Sequence, residues 1–282
     1  MDYSFDNVVP SFRLDGRLVL ITGGSGGLAS VISRALLAQG ADIALIDMNL
    51  ERTKISAKEV VAWGEETMKS NPISYPTGKL GMVSAWSCNI GDASSVDETF
   101  EAINQHHGKI ADVLINTAGY AENFPAEEYP AQNAEAIMKV NGLGSFYVSQ
   151  SFAKPLIKNN LKGSIILIGS MSGTIVNDPQ PQCMYNMSKA GVIHLVRSLA
   201  CEWAKYNIRV NTLSPGYIKT PLTVRVAAHD PELKDNWESK IPMKRMAEPK
   251  EFVGSILYLA SESASSYTTG HNLVVDGGYE CW

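Results

Sequence analysis

Apolar residues along this 282-residue chain alternate between two patterns. Short runs rich in Ile, Leu and Val occur at 18–22, 42–47, 83–88, 113–116, 164–168, 209–213 and 272–275. Several are nearly continuous rather than alternating with polar residues, as in strands buried on both faces of a parallel sheet. Between them lie longer stretches with helical spacing, at 28–39, 52–63, 95–106, 134–158, 184–206 and 250–261. This alternation predicts an α/β fold, a single-domain Rossmann-type doubly wound parallel sheet of about seven strands with helices on both faces. Two segments interrupt it. Residues 70–81 carry two prolines and two glycines and read as a surface loop. Residues 215–242 form a connection long enough to be a lid over a site. No repeat, low-complexity tract or linker divides the chain, so one domain is expected over 1–282, with 1–15 as an extension.

The first strand runs into Thr22-Gly23-Gly24-Ser25-Gly26-Gly27-Leu28-Ala29, a glycine turn followed by a helix start. Glycine there lets backbone approach a pyrophosphate, and a helix N-terminus attracts its charge. Gly23, Ser25, Gly27 and Leu28 are therefore candidate dinucleotide contacts. The second strand ends in Asp47, 24 residues after Gly23. A carboxylate at that place accepts hydrogen bonds from both adenine-ribose hydroxyls and repels a 2′-phosphate, which favours NAD over NADP.

Tyr185 and Lys189 are four residues apart in a helical stretch, so both side chains lie on one face. A tyrosine hydroxyl titrates near ~10, and a neighbouring ammonium stabilises its phenolate. The pair is thus a compact proton-transfer device, but it is weak evidence alone because the spacing arises by chance in many helices.

Composition narrows the field. Hydrophobic residues at 45% and charged residues at 19% are ordinary for a soluble enzyme. A net charge of -5, with no long Lys/Arg run, argues against nucleic acid as a partner. No apolar run approaches the ~18–20 residues of a membrane span, and residues 1–15 lack the layout of a secretory signal. Cys88, Cys183, Cys201 and Cys281 form no CxxC pair, which points to a reducing, cytoplasmic setting. His106 and His107 close a helix before Gly108 and have no third ligand near them in sequence, so no metal is expected. Nothing in the sequence around Cys183 lowers its pKa, so it is not read as a nucleophile.

The set Thr22-Gly23-x-x-x-Gly27-x-Ala29, Asn116-Thr117-Ala118-Gly119, Asn141, Ser170, Tyr185-x-x-x-Lys189, Pro215-Gly216 and Asp276-Gly277-Gly278 resembles the short-chain dehydrogenase/reductase family from Leu14 to Gly278. Three positions depart from its pattern. Ala29 and Thr117 replace a glycine and an asparagine, and the aspartate that commonly touches adenine is Asn89, followed by Ile90. The resemblance implies that Tyr185 is the acid/base and that Lys189 lowers its pKa and holds the nicotinamide ribose. It implies that Ser170, with Ser172 as the competing serine, orients the reacting oxygen. It also implies that Asn141 interrupts its helix and relays a water to Lys189; the alternative is a helix–helix hydrogen bond. Asn116, Ala118, Gly119, Pro215, Gly216, Ile218 and Thr220 would line the cofactor. The long helices around 146–152 and 195–203 imply a homotetramer.

At finer grain, residues 169–185 and the two termini are similar to fungal polyol dehydrogenases. That likeness implies NAD-dependent oxidation of a sugar alcohol to a ketose, with D-arabinitol and D-ribulose as the leading pair. Ser170, Ser172, Asn177, Asp178, Gln180 and Tyr217 would contact substrate hydroxyls. The alternatives are an NADP-dependent sorbose or fructose reductase, a mannitol dehydrogenase, and a dinucleotide-binding sensor without chemistry.

Overall fold

Every apolar run becomes a strand in the computed structural model of the chain, which describes residues 8–70, 78–220, 223–224 and 231–281. The strands are β1 (Leu18–Thr22), β2 (Asp42–Asp47), β3 (Val83–Ser87), β4 (Val113–Asn116), β5 (Gly163–Ile168), β6 (Ile208–Pro215) and β7 (Asn272–Val275). They pair in parallel in the order β3-β2-β1-β4-β5-β6-β7. The chain thus builds outward from β1 in one direction and returns to build outward from β4 in the other. That reversal opens a crevice at the carboxyl ends of β1 and β4, where ligands bind in sheets of this kind.

The continuous apolar runs follow from burial on both sides. Leu18 and Leu20 of β1 join one core with α3 (Ala93–His107), α5 (Ser145–Lys158) and α6 (Cys183–Trp203). Val19 and Ile21, the intervening residues, join a second core with α1 (Gly27–Ala38) and α2 (Leu50–Ser70). Burying one such side chain is worth about 1.5–3 kcal/mol, so a polar residue is disfavoured at either parity. Phe152 and Val196 on the first face, and Leu36 and Ile256 on the second, complete these layers.

Three departures from the sequence pattern affect the site. Helix α2 continues past Trp63 to Ser70, and Gly64 within it packs closely on its neighbours; a Cβ there would lie 2.8 Å from Leu37 Cδ2. The stretch 134–158 is not one helix but α4 (Ala131–Ile137), a π-helical segment (Met138–Gly144) and α5. Within 215–242 lies an unanticipated helix, α7 (Pro231–Lys240). It packs through Trp237 into a third small core with Met171, Ile241, Met246 and Tyr279. Residues 221–222 and 225–230 of that segment, and 71–77 of the segment read as a surface loop, lie outside the described residues. After α7 come α8 (Val253–Ala260) and the short α9 (Glu262–Ser265). Among the described residues no helix is long and apolar enough to cross a membrane.

Candidate active site

The crevice between β1 and β4 is a cleft of about 710 Å³ walled by the glycine turn, Asp47, Asn89, Ile90, Ala118 and Gly119. Gly23 has φ +66°, and a Cβ on it would lie 2.8 Å from Ala118 N and Thr117 Oγ1. A Cβ on Gly24 would lie 2.9 Å from Ile46 N. Only hydrogen fits at both positions, which keeps the turn flat against β2 and β4. Gly26 occupies the N-cap of α1 and supplies no side-chain cap. The first N–H groups of α1 are therefore uncapped by any side chain, as an anion site at a helix N-terminus requires. Asp47 fastens the turn to β2, its Oδ2 accepting from Ser25 N (3.1 Å) and Ser25 Oγ (2.7 Å). These features fit a dinucleotide, with its pyrophosphate over Gly23–Leu28 and its ribose toward Asp47.

Thr117 is accommodated by donating from Oγ1 to Thr22 O at 2.6 Å. Asn116 lies beneath the cleft rather than in its wall. It is buried, accepts from Thr22 Oγ1 and donates to Ser145 Oγ at 2.9 Å. Ser145 Oγ in turn donates to Asn141 O at 2.6 Å, so the strand end braces the π segment. Asn89 uses Oδ1 to accept from Gly91 N at 3.1 Å, and Ile90 packs beside Gly144.

A second cavity of about 340 Å³ shares Thr117, Gly119, Tyr120 and Thr220 with the cleft. Ser170, Ser172, Tyr185, Lys189, Pro215, Gly216 and Ile218 line it, together with Tyr217 and Trp237. Lys189 Nζ donates to Ile168 O at 2.7 Å and lies 5.7 Å from the centre of the Tyr185 ring. Burial lowers its pKa to about 8, so the ammonium persists at neutral pH. The Tyr185 phenol is pushed up rather than down, chiefly by burial, with a hydrogen bond to Ser170 opposing. This differs in direction from the lowering expected beside Lys189, because burial disfavours the phenolate.

The two serines separate clearly. Ser170 joins Tyr185, and its Oγ accepts from Ser172 N at 3.1 Å. Ser172 Oγ donates to Asn177 Oδ1 at 2.5 Å and accepts from Gln182 Nε2 at 3.2 Å, so its hydroxyl is already committed. Asn177 Nδ2 donates to Tyr217 OH (3.1 Å), which donates to Gln180 Oε1 (2.6 Å). Asp178 is a correction to the expected set. It is exposed, absent from the cavity wall, and accepts from Lys240 Nζ at 2.5 Å on its outer side. Cys183 is exposed and also outside the wall.

Asn141 sits in the π segment and is buried. Its Nδ2 donates to Tyr120 O (2.9 Å) and Ser188 Oγ (3.0 Å), and its Oδ1 accepts from Tyr120 N (3.1 Å). One side chain thus joins the loop after β4 to α6, one residue from Lys189. A Cβ on Gly119 would lie 3.1 Å from Asn141 Oδ1 and 3.5 Å from Lys189 Nζ, so glycine there lets both groups reach the strand end. Beyond β6, Ile218 O accepts from Thr220 N at 2.8 Å and from Thr223 Oγ1, which fixes the turn at the cavity rim. The sequence reading missed Gln182, a buried hub bonded to Ser172, Asn177 and Asn186, and Trp237; neither carries a local signal.

A larger cavity of about 880 Å³ opens at the other end of the sheet, beside Asp112, Gly163 and Ile208 at the strand starts. It has neither the glycine turn nor the Tyr–Lys pair. His107 Nε2 is 2.8 Å from Ser84 Oγ, and among the described residues no three His, Cys, Asp or Glu side chains group to hold a metal.

Residues 23–280 match the family model described as Enoyl-(Acyl carrier protein) reductase. The chain belongs to the short-chain dehydrogenase/reductase family. Within that family it is 83% identical over 282 residues, all of both chains, to D-arabinitol 2-dehydrogenase [ribulose-forming] of Scheffersomyces stipitis. It is 54% identical to the NADH-dependent L-xylulose reductase of Ambrosiozyma monospora, covering 97% of this chain and 98% of the relative. A short-chain type dehydrogenase/reductase from Mycobacterium marinum has the same fold, with a TM-score of 0.85, 34% identity, and coverage of 96% of this chain and 98% of that one. Membership implies an NAD(P) cofactor, which the glycine cradle and the uncapped helix start fit.

Proposed function

We propose that this chain is an NAD-dependent polyol dehydrogenase that oxidises D-arabinitol at C2 to D-ribulose. The observation that supports the reading is that the cavity lined by Ser170, Tyr185 and Lys189 shares Thr117, Gly119, Tyr120 and Thr220 with the glycine-turn cleft. The relatives' activities support the substrate, and Asp47 together with the NADH-dependent relative supports NAD. Gly23, Ser25, Gly27, Leu28, Asn89, Ile90, Ala118, Gly119, Pro215, Gly216, Ile218 and Thr220 would hold the cofactor, which supplies the hydride acceptor when bound. Asn116 supports that wall from below.

Each protein group then has a definite task. Ser170 Oγ and Tyr185 OH hold the oxygen on the reacting carbon. Tyr185 takes the hydroxyl proton during oxidation and returns it during reduction. Lys189 keeps a positive charge beside the phenol, and Asn141 holds the loop, helix and lysine in register. A cavity whose wall includes Ser172, Asn177, Gln180 and Tyr217 suits a chain of hydroxyls better than a steroid or acyl chain. We read residues 1–282 as one domain, with 215–242 as a substrate lid and 1–15 as an extension.

Incubation with NAD and a panel of pentitols, with chromatography of the ketose, tests this reading. D-ribulose from D-arabinitol is the expected product. D-xylulose as the main product would mean oxidation at C4, and faster turnover of 2-propanol or a steroid alcohol would remove the polyol assignment.

We also infer a homotetramer built on the α5 and α6 side. Leu143 of the π segment leading into α5 and Met187 of α6 are each 50% exposed, which favours cover by another subunit. Sedimentation should give four times the chain mass of 30.6 kDa; a monomer throughout the micromolar range would overturn the inference.

A further inference from the structure

We propose that Ser172, Asn177, Tyr217, Gln180 and Gln182 form a closed hydrogen-bonded ring that positions Ser170 against Tyr185, and that they serve the reaction as positioning residues rather than as contacts of the polyol. The proposal rests on the reading above that Ser170 and Tyr185 hold the reacting oxygen, and not on which polyol is oxidised.

The ring can be followed atom by atom. Ser172 Oγ donates to Asn177 Oδ1 (2.5 Å), Asn177 Nδ2 to the Tyr217 hydroxyl (3.1 Å), and that hydroxyl to Gln180 Oε1 (2.6 Å). Gln180 Nε2 then donates to Gln182 Oε1 (3.3 Å), and Gln182 Nε2 returns to Ser172 Oγ (3.2 Å). Each member donates to the next, so every bond polarises its neighbour in the same sense. Gln182 Nε2 also reaches Asn177 Oδ1 at 3.0 Å and braces the ring across its middle. Burial raises the Tyr217 phenol, so this hydroxyl keeps the proton that it donates. The hydroxyl protons of Ser172 and Tyr217 are thus both donated within the ring. Ser172, Asn177 and Gln182 are 5%, 2% and 4% exposed, which suits a frame behind the cavity surface.

The ring grips the two groups that matter for the chemistry from either side. Ser172 N donates to Ser170 Oγ at 3.1 Å, which fixes that serine at the start of the short turn Met171–Gly173. Gln182 is the N-cap of α6, three residues before Tyr185, and its Nε2 donates at 3.0 Å to Asn186 Oδ1, one residue after it. The segments carrying Ser170 and Tyr185 are therefore tied to each other, and Tyr217 ties both to the end of β6. An error of about 1 Å in the placing of reacting groups can cost ~10²-fold in rate, so a frame of this kind acts on turnover.

Tyr217→Phe opens the ring at one hydroxyl and keeps the aromatic face that stacks on Trp237, with 4.7 Å between ring centres. With NAD saturating, kcat for D-arabinitol should fall about tenfold, while KM for D-arabinitol and NAD affinity change little. Loss of a substrate contact would instead raise KM. Ser172→Ala opens the same ring at its other hydroxyl. The double variant should be no slower than the slower single variant, because the ring is already open; penalties that multiply, as for independent contacts, overturn the proposal. An unchanged kcat in Tyr217→Phe overturns it too, as does a rise in KM as large as the fall in kcat. If Tyr217→Phe does not fold, Ser172→Ala alone carries the comparison of kcat with KM. Tyr185→Phe, measured alongside, tells the two readings apart. An active Tyr185→Phe protein removes the assignment of the reacting oxygen and the ring's role with it. An inactive one beside a Tyr217→Phe protein as fast as wild type removes the ring alone. Should the wild type oxidise another alcohol and no pentitol, the polyol reading fails and the same comparison on that alcohol decides the ring.

Discussion

Tyr185→Phe is expected to lower turnover of D-arabinitol by at least about 10²-fold, the lower end of what a positioned acid/base contributes. The substitution removes one oxygen and little volume, so the fold and NAD binding should persist. Burial raises the Tyr185 phenol and its hydrogen bond to Ser170 opposes, so the hydroxyl keeps its proton at neutral pH. Lys189, lowered to about 8, is charged below that value and loses its charge above it. Oxidation releases a proton, so raising the pH should favour it until Lys189 begins to lose its charge near 8 and no longer supports the phenolate, and lowering the pH should favour ketose reduction. A Tyr185→Phe protein with more than about a tenth of wild-type kcat would remove Tyr185 from the chemistry.

Asp47→Ser is expected to reverse much of the NAD preference proposed above. In the wild-type chain a 2′-phosphate would meet the Asp47 carboxylate at the cleft wall, and a ribose hydroxyl would lose an acceptor. Together these amount to ~2–4 kcal/mol, or about 30- to 1,000-fold in kcat/KM between the two cofactors. Arg52 also lines the cleft and is exposed, so once the carboxylate is gone it can attract the added phosphate. The serine also loses the carboxylate that fastens Ser25, so NAD binding should weaken even as NADP is admitted. The measurement is the NAD to NADP ratio of kcat/KM for both proteins. Equal use of both cofactors by the wild type would sink the argument.

The strands were legible because both parities of each central run face a core, as Leu18 to Ile21 show, so no polar residue breaks the run. Asp47 and the glycine turn were legible because their separation along the chain mirrors one β-α-β unit. Features made by distant partners were not legible. Asp178 resembles its neighbour Asn177 in sequence, yet Lys240, 62 residues on, takes it to the outer side. Helix α7 is polar and short, and its place depends on Trp237 fitting between Tyr217 and Met171, contacts that no local spacing announces. The Tyr–Lys spacing announced one shared face, but not that the lysine bonds the end of β5.

The π segment around Asn141 has a consequence for how this chain tolerates changes in length. A π turn amounts to one extra residue in an α-helix, and here it separates α4 from α5 by a shift in phase. On that side α5 is anchored in one core by Val148, Phe152 and Leu156. Deleting one residue between 138 and 144 would let the helix close into regular α form at little cost to those anchors. It would also rotate the adjoining turns of α4 by about 100° about the helix axis relative to α5 and shift the residue that presents the amide at Asn141 to Tyr120 and Ser188. The protein should then remain folded but inactive. Residue count in this helix, rather than side-chain identity alone, is thus a determinant that a length-changing alignment gap would betray before any substitution did.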